Sequence, residues 1–87
     1  MTRYLIVPPV VSAEMKRASE RNNVDLWNIL GVYPQRSRAE KTARREAIYA
    51  LWDMQKEDGS RRFSAGQLAI YFGTSSAAIG QTLKRRK

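Results

Sequence analysis

Apolar residues at helical spacing divide the chain into short amphipathic stretches separated by turn residues. The clearest stretch begins at Ser37, where Ser37, Arg38, Ala39 and Glu40 have the spacing of a capping box. Ala43, Ala47, Leu51 and Met54 then recur at the helical period, and Ile48 widens the stripe. Glu40 and Arg44 stand one turn apart as an ion pair. Asp58-Gly59-Ser60 is a turn signal that ends this helix near Glu57. Tyr49 and Trp52 widen the apolar surface and read as core or core rim, with base stacking the lesser alternative. Upstream, Ser12 reads as the N-cap of a helix to about Arg21, with Glu14 in its first turn and a thin apolar side of Val10, Val11, Met15 and Ala18. Asn22-Asn23 breaks it, and Asn23 is predicted to cap a short helix over Val24–Leu30, closed by a left-handed Gly31. Val32–Gln35 reads as a connector. Tyr4–Val7 has the composition of an edge strand, but Pro8-Pro9 ends it, so residues 1–11 are expected to be an extended lead-in.

The last quarter of the chain carries the functional signal. Ser64 caps a short helix with Leu68 and Phe72 facing inward, and Ala69 is small enough to let a second helix cross closely. Gly73 supplies the left-handed backbone of a tight turn, and Ser75 caps a second helix whose Ile79 and Leu83 repeat the inward four-residue spacing. Two short helices meeting steeply through small residues read as a helix-turn-helix over residues 64–86, whose second helix lies in the DNA major groove. The plainer reading is a helical hairpin with a glycine at its turn. The predicted exposed face of the second helix holds Ser76, Ala77, Gly80, Gln81 and Lys84. Gln81 can bond an adenine edge in two places, the Ser76 hydroxyl can donate or accept, and the Ala77 methyl can pack on a thymine methyl. Thr74 and Ser75, with the amides at the helix start, suit a phosphate, and Arg85 with its basic neighbours suits the backbone. No Arg or Asn on this helix is aimed at bases, so shape is expected to share in the selectivity.

Charge sharpens this picture. Sixteen Lys and Arg oppose eight Asp and Glu, a formal net charge of +8 on 87 residues, which points to a polyanionic partner. All the acids precede Gly59, whereas Arg61, Arg62, Lys84 and Arg85 lie in an acid-free C-terminal third. A second concentration, Arg36, Arg38, Lys41, Arg44 and Arg45, is diluted only by Glu40. There is no cysteine and no histidine. Disulfides, thiolate metal sites, the usual general base and triad chemistry are therefore excluded, and an enzyme is not expected. No cofactor or metal is expected. No stretch is apolar enough for a membrane span, so a cytoplasmic, nucleoid-associated location is expected. The absence of coiled-coil heptads makes a monomer the default. The expected fold is an all-α, compact bundle of four to five helices forming one domain over residues 1–87: lead-in 1–11, helical support 12–57 with a basic loop at 36–45, and the helix-turn-helix at 64–86.

Over about Ile6 to Leu83 the chain resembles the C-terminal DNA-binding domain of the bacterial replication initiator DnaA, a Trp-repressor-like helix-turn-helix. The resemblance is carried by Val24-Asp-Leu-Trp-Asn-Ile-Leu-Gly31, similar to a short helix ending in paired leucines. It is carried also by Arg36-Ser-Arg38 with Arg44 and Ala47-Ile-Tyr-Ala-Leu51, and by Ser64 through Phe72-Gly73. It implies that Arg36 or Arg38 enters a minor groove, whose negative potential attracts arginine where the groove is narrow. The departures are specific. Thr74-Ser-Ser-Ala-Ala78 stands where the family has Arg-Asp-His-Thr-Thr, and the segment Asp58–Phe63 is longer and carries Arg61 and Arg62. The expectation is a small, phage-type regulator of transcription or replication that binds double-stranded DNA without an ATPase domain. Two alternatives remain open: a basic module that docks on an acidic protein through Tyr33, Tyr49 or Trp52, and the DNA-recognition subunit of a phage packaging machine.

Overall fold

The computed structural model describes residues 8–31 and 36–85, with Trp27 through its backbone only. Among them are helices α1 (Pro9–Arg21), α2 (Arg38–Trp52), α3 (Ala65–Phe72) and α4 (Ser76–Lys84), with a 3-10 helix at Leu26–Ile29 between α1 and α2. The radius of gyration of 12.5 Å compares with about 12 Å for a compact chain of this length. The expected all-α, compact architecture is therefore what the chain adopts. The Tyr4–Val7 segment, the Val32–Gln35 connector, Arg86 and Lys87 lie outside the described residues.

Helix α1 starts earlier than the Ser12 signal predicts. Pro9 occupies its first position and Pro8 precedes it as N-cap. Proline suits that position because its missing N–H would have had no helical partner, and its φ is already set. The carbonyl of Pro8 accepts from Val11 and Ser12, while the Ser12 hydroxyl donates to the Pro9 carbonyl at 3.1 Å instead of capping. Pro8-Pro9 thus opens the helix and does not belong to an extended lead-in. The early start brings Val11 into register with Met15 and Ala18, and all three are buried.

At the other end of α1, Asn23 takes a left-handed conformation, φ +57°. Its amide donates to Glu20 and that of Val24 to Ser19, the paired bonds of a Schellman motif. Asn23 is thereby spent closing α1. An N-cap needs extended backbone, so the short α-helix expected over Val24–Leu30 does not form. In its place a single 3-10 turn sends Ile29 fully into the core.

Helix α2 has the predicted capping box: Ser37 Oγ accepts from the Glu40 amide at 3.2 Å and Glu40 Oε1 from the Ser37 amide at 2.8 Å. The box also converts most of the expected basic loop into helix, leaving only Arg36 and Ser37 of residues 36–45 before its first turn. The bond from the Ser37 amide is the main reason the Glu40 carboxyl titrates below its ordinary value. Helix α2 ends at Trp52, short of the predicted Glu57, because the chain turns back on itself. Gln55 bridges antiparallel to Arg61, the Met54 carbonyl accepts from Arg62, and the Lys56 amide donates to Ser60. Those groups would be needed to extend the helix, and the hairpin uses them instead. The return places Phe63 in the core, edge-on to Tyr71 at 6.1 Å.

Helices α1 and α2 pack along one another, and α3 and α4 pair beside them. One core holds Val11, Met15 and Ala18 of α1, Ala43, Ala47, Ile48 and Leu51 of α2, Leu68, Ala69 and Phe72 of α3, and Ile79 of α4.

The turn between α3 and α4 is pinned at two glycines. Gly73, φ +66°, and Gly31, φ +76°, lie back to back, and the Gly31 amide donates to the Phe72 carbonyl at 2.7 Å. A Cβ on Gly73 would lie 3.4 Å from both the Cα and N of Gly31, whereas one on Gly31 would meet nothing within 4 Å. A side chain in left-handed backbone costs about 1–2 kcal/mol. Both Gly31→Ala and Gly73→Ala should therefore lower Tm by about 5–15 °C, with Gly73→Ala the larger. Calorimetric melts check this; an unchanged Tm in Gly73→Ala would show that the turn does not need its left-handed glycine.

Candidate nucleic-acid interface

Helix α4 is oriented by contacts on its inner side. Ile79 is buried, Leu83 is partly buried against the core, and the Tyr49 hydroxyl on α2 donates to the Thr82 carbonyl at 3.1 Å. Ser75 caps the helix through its hydroxyl to the Ala78 amide at 3.2 Å. With Ile79 inward, the period of 100° per residue turns Ala77, Gly80, Gln81 and Lys84 to the opposite side. Ala77, Gln81 and Lys84 are exposed there, Gly80 is half-buried, and Ser76 is exposed at the edge, about 60° round the helix from Ile79. Of the five residues expected on this face, Ser76, Ala77, Gln81 and Lys84 are exposed, with Ser76 at its edge rather than opposite Ile79. Small residues keep it low, and nothing acidic lies on it.

The helix entrance differs in one respect from expectation. The Thr74 amide is not available to a phosphate, because it donates to the Ala69 carbonyl at 2.9 Å in the Schellman closure of α3. Ser75 Oγ accepts the Ala78 amide in its cap, and its O–H can still donate outward. The first-turn amides of Ser76 and Ala77 are the donors that an α-helix leaves outside its own ladder.

Arg36 and Arg44, both expected at the DNA, are turned into the fold. Arg36 donates from Nε to the Asn28 carbonyl at 2.7 Å and from Nη2 to the carbonyls of Leu30 at 2.7 Å and Gly31 at 3.2 Å. Arg44 donates from Nη1 to Ile29 at 3.0 Å and Gly31 at 2.6 Å, with its guanidinium 5.9 Å from the centre of the Phe72 ring. These carbonyls belong to the end of the 3-10 helix, where backbone acceptors run out of helical partners. Arg44 therefore does not form the expected pair with Glu40. Its half-burial, with Arg36 as a lesser like-charge contribution, lowers its pKa to about 10. It stays charged at neutral pH but in an unfavourable place. Arg38, by contrast, is exposed at the first position of α2.

Arg61 and Arg62 lie beyond the far end of α2, which over its 15 residues is about 22 Å long. They are not gathered with Arg36 and Arg38. Arg61 lies over the Trp52 ring at 3.8 Å and also donates to the Trp52 carbonyl, and Arg62 lies 5.7 Å from the Phe63 ring. The structure does gather a groove of about 220 Å³ between the first half of α2 and the end of α4. Arg36, Lys41, Arg44, Arg45 and Arg85 surround it, over an apolar floor at Ile48 and beside Thr82. Lys41 and Arg45 are not among the DNA-contacting residues expected from the sequence. Their signal is nonetheless present there, because 41, 44, 45 and 48 share one helical face by spacing.

Tyr49 and Trp52 are both half-buried and engaged, so of the aromatics proposed to dock a protein neither stands out as a free anchor; Tyr33 is outside the described residues. Among the described residues Ile70 is the exposed large hydrophobic, 62% accessible. Also among these residues, no cluster of Asp and Glu could hold a metal ion, and no helix is long and apolar enough to cross a membrane. The fold and the cationic surface define a small all-α protein with a basic helical face. No protein-family model, curated protein or solved structure matches the chain.

Proposed function

We propose that this protein binds double-stranded DNA, with α3, the Gly73 turn and α4 acting as a helix-turn-helix and α4 as the helix that enters the major groove. The observation that carries this reading is the α4 face itself. It is exposed, small-residued and free of acid, on a helix held from behind by Ile79 and by the Tyr49 bond to Thr82. A helix of that low profile fits a major groove about 12 Å wide, and Gln81 and Ser76 are its base-reading groups. Lys84 and Arg85 supply phosphate contacts at the helix end. Of the two arginines that the DnaA resemblance directs to the minor groove, exposed Arg38 is the one we propose, since Arg36 is occupied with Asn28, Leu30 and Gly31. In this role the protein is a small regulator of transcription or replication.

Selection from randomised duplexes, followed by binding to the selected and to scrambled sequences, tests the assignment. Gln81→Ala should cost about 1–3 kcal/mol on the selected site alone, relaxing its preference at one base pair. Arg85→Ala should weaken every duplex about equally. Equal effects of both substitutions on all probes would show that α4 does not read bases.

A further inference from the structure

We propose that the groove between α2 and the end of α4 is a seat for phosphoryl anions, able to take a compact phosphate group from solution as well as from a nucleic-acid backbone. Its lining brings Arg36, Arg44 and three further cations, Lys41, Arg45 and Arg85, around one open volume, and no carboxylate contributes to it. A concave surface lined by one sign of charge concentrates potential and raises the local concentration of counter-ions. Guanidinium groups match the geometry of phosphate oxygens and so favour that anion over others.

The size points to the same class of ligand. About 220 Å³ lies below the roughly 300–1,000 Å³ of pockets that enclose whole small molecules. That volume suits a short inorganic polyphosphate of up to three phosphoryl groups better than a nucleotide enclosed with its base. The deep side is prepared in advance. Both carbonyl bonds of Arg44 are made by Nη1, and they fix the plane of its guanidinium against Ile29 and Gly31. Arg36 converges on the same Gly31 carbonyl. Two like charges held at one acceptor are an unfavourable arrangement that a bound anion would offset; half-burial first, and the Arg36 charge second, lower the pKa of Arg44. The outer cations, Lys41, Arg45 and Arg85, are exposed and adjustable.

The seat is a property of the free protein, and it shares Arg85 with the contacts proposed for the end of α4. The test titrates inorganic tripolyphosphate into the full chain by calorimetry, at constant ionic strength. Saturable binding at one equivalent is expected. It should weaken about tenfold or more in Lys41→Ala/Arg45→Ala and in Arg85→Ala, since charge-assisted bonds are lost. A charge-matched control, Lys16→Ala/Lys56→Ala, changes two exposed lysines outside the groove and should leave the affinity within about twofold, as expected for diffuse charge alone. These variants spare the buried arginines, and circular dichroism confirms that each is folded. Absence of saturable binding, or equal weakening in the groove and control variants, overturns the seat. A duplex arm distinguishes the two sources: displacement of tripolyphosphate by duplex makes the seat a backbone-phosphate site, and simultaneous binding makes it a site for a free anion. Should the chain bind no duplex at all, the reading of α4 fails while the tripolyphosphate result still decides the seat.

Discussion

Raising the salt from 50 to 200 mM should weaken duplex binding about a thousandfold. In the proposed complex Lys84, Arg38 and the groove cations, Arg85 among them and Arg36 and Arg44 sharing one phosphate, supply about six phosphate contacts, and each neutralised phosphate releases a condensed counter-ion. Six contacts give a log–log slope of about −5, and a fourfold rise in salt raised to that power is about 10³. The magnitude separates surface-spanning contact from a few incidental ion pairs, since two contacts would give a slope near −2 and a loss of only about tenfold. Fluorescence anisotropy across a salt series measures the slope directly. Removing Arg85 should make it shallower by about 1. A flat series would mean that the +8 charge is solvated surface and not a nucleic-acid footprint.

The largest effect on stability is expected from Phe72→Ala. Phe72 is fully buried and stands at the junction of the elements that place α4. Its carbonyl takes the Gly31 amide, and its ring lies beneath the Arg44 guanidinium. Truncating a buried phenylalanine costs about 3–5 kcal/mol, against a total stability of roughly 5–15 kcal/mol for a domain. Tm should fall by roughly 15–30 °C, and duplex affinity should fall with it as the Gly31–Gly73 contact loosens. Ile70→Ser on the same helix is the comparison. Ile70 is exposed, so its replacement should change stability by no more than about 0.5 kcal/mol. If calorimetry shows similar small shifts for both, α3 does not anchor the pair.

Where local chemistry decides, the sequence is legible. Ser37 with Glu40, Ser64 at the start of α3, Gly73 and Ser75 are each tied to a bond within four residues, and each lies where the pattern places it. The inward set of Leu68, Phe72 and Ile79 is legible for the same reason, because it depends only on helical period. Sequence and structure part where two signals compete or where a distant partner decides. Ser12 and Pro9 both mark a helix start, and burial of Val11 beside Met15 selects the proline. Asn23 can end one helix or begin the next, and the Schellman bonds commit it to the first. Helix α2 stops at Trp52 because Arg61 and Arg62 return to Trp52 and Met54, a pairing that no local window contains. The candidate site shows the same division. Charge counting locates the cations, but it does not show that Arg36 and Arg44 are held by the carbonyls of Ile29, Leu30 and Gly31. Nor does it show that Lys41 and Arg45 face the end of α4. Those placements depend on where the 3-10 helix ends, which is a tertiary fact.

The outer face of α4 is where we propose that the protein meets DNA. Amide chemical shifts during titration with a duplex taken from the selection test it most directly. Shifts concentrated at Ser76, Ala77, Gly80, Gln81 and Lys84, with α1 unmoved, are the predicted result. Saturable duplex binding with α4 unmoved and the shifts confined to α1 or to the Asp58–Arg62 turn would contradict it.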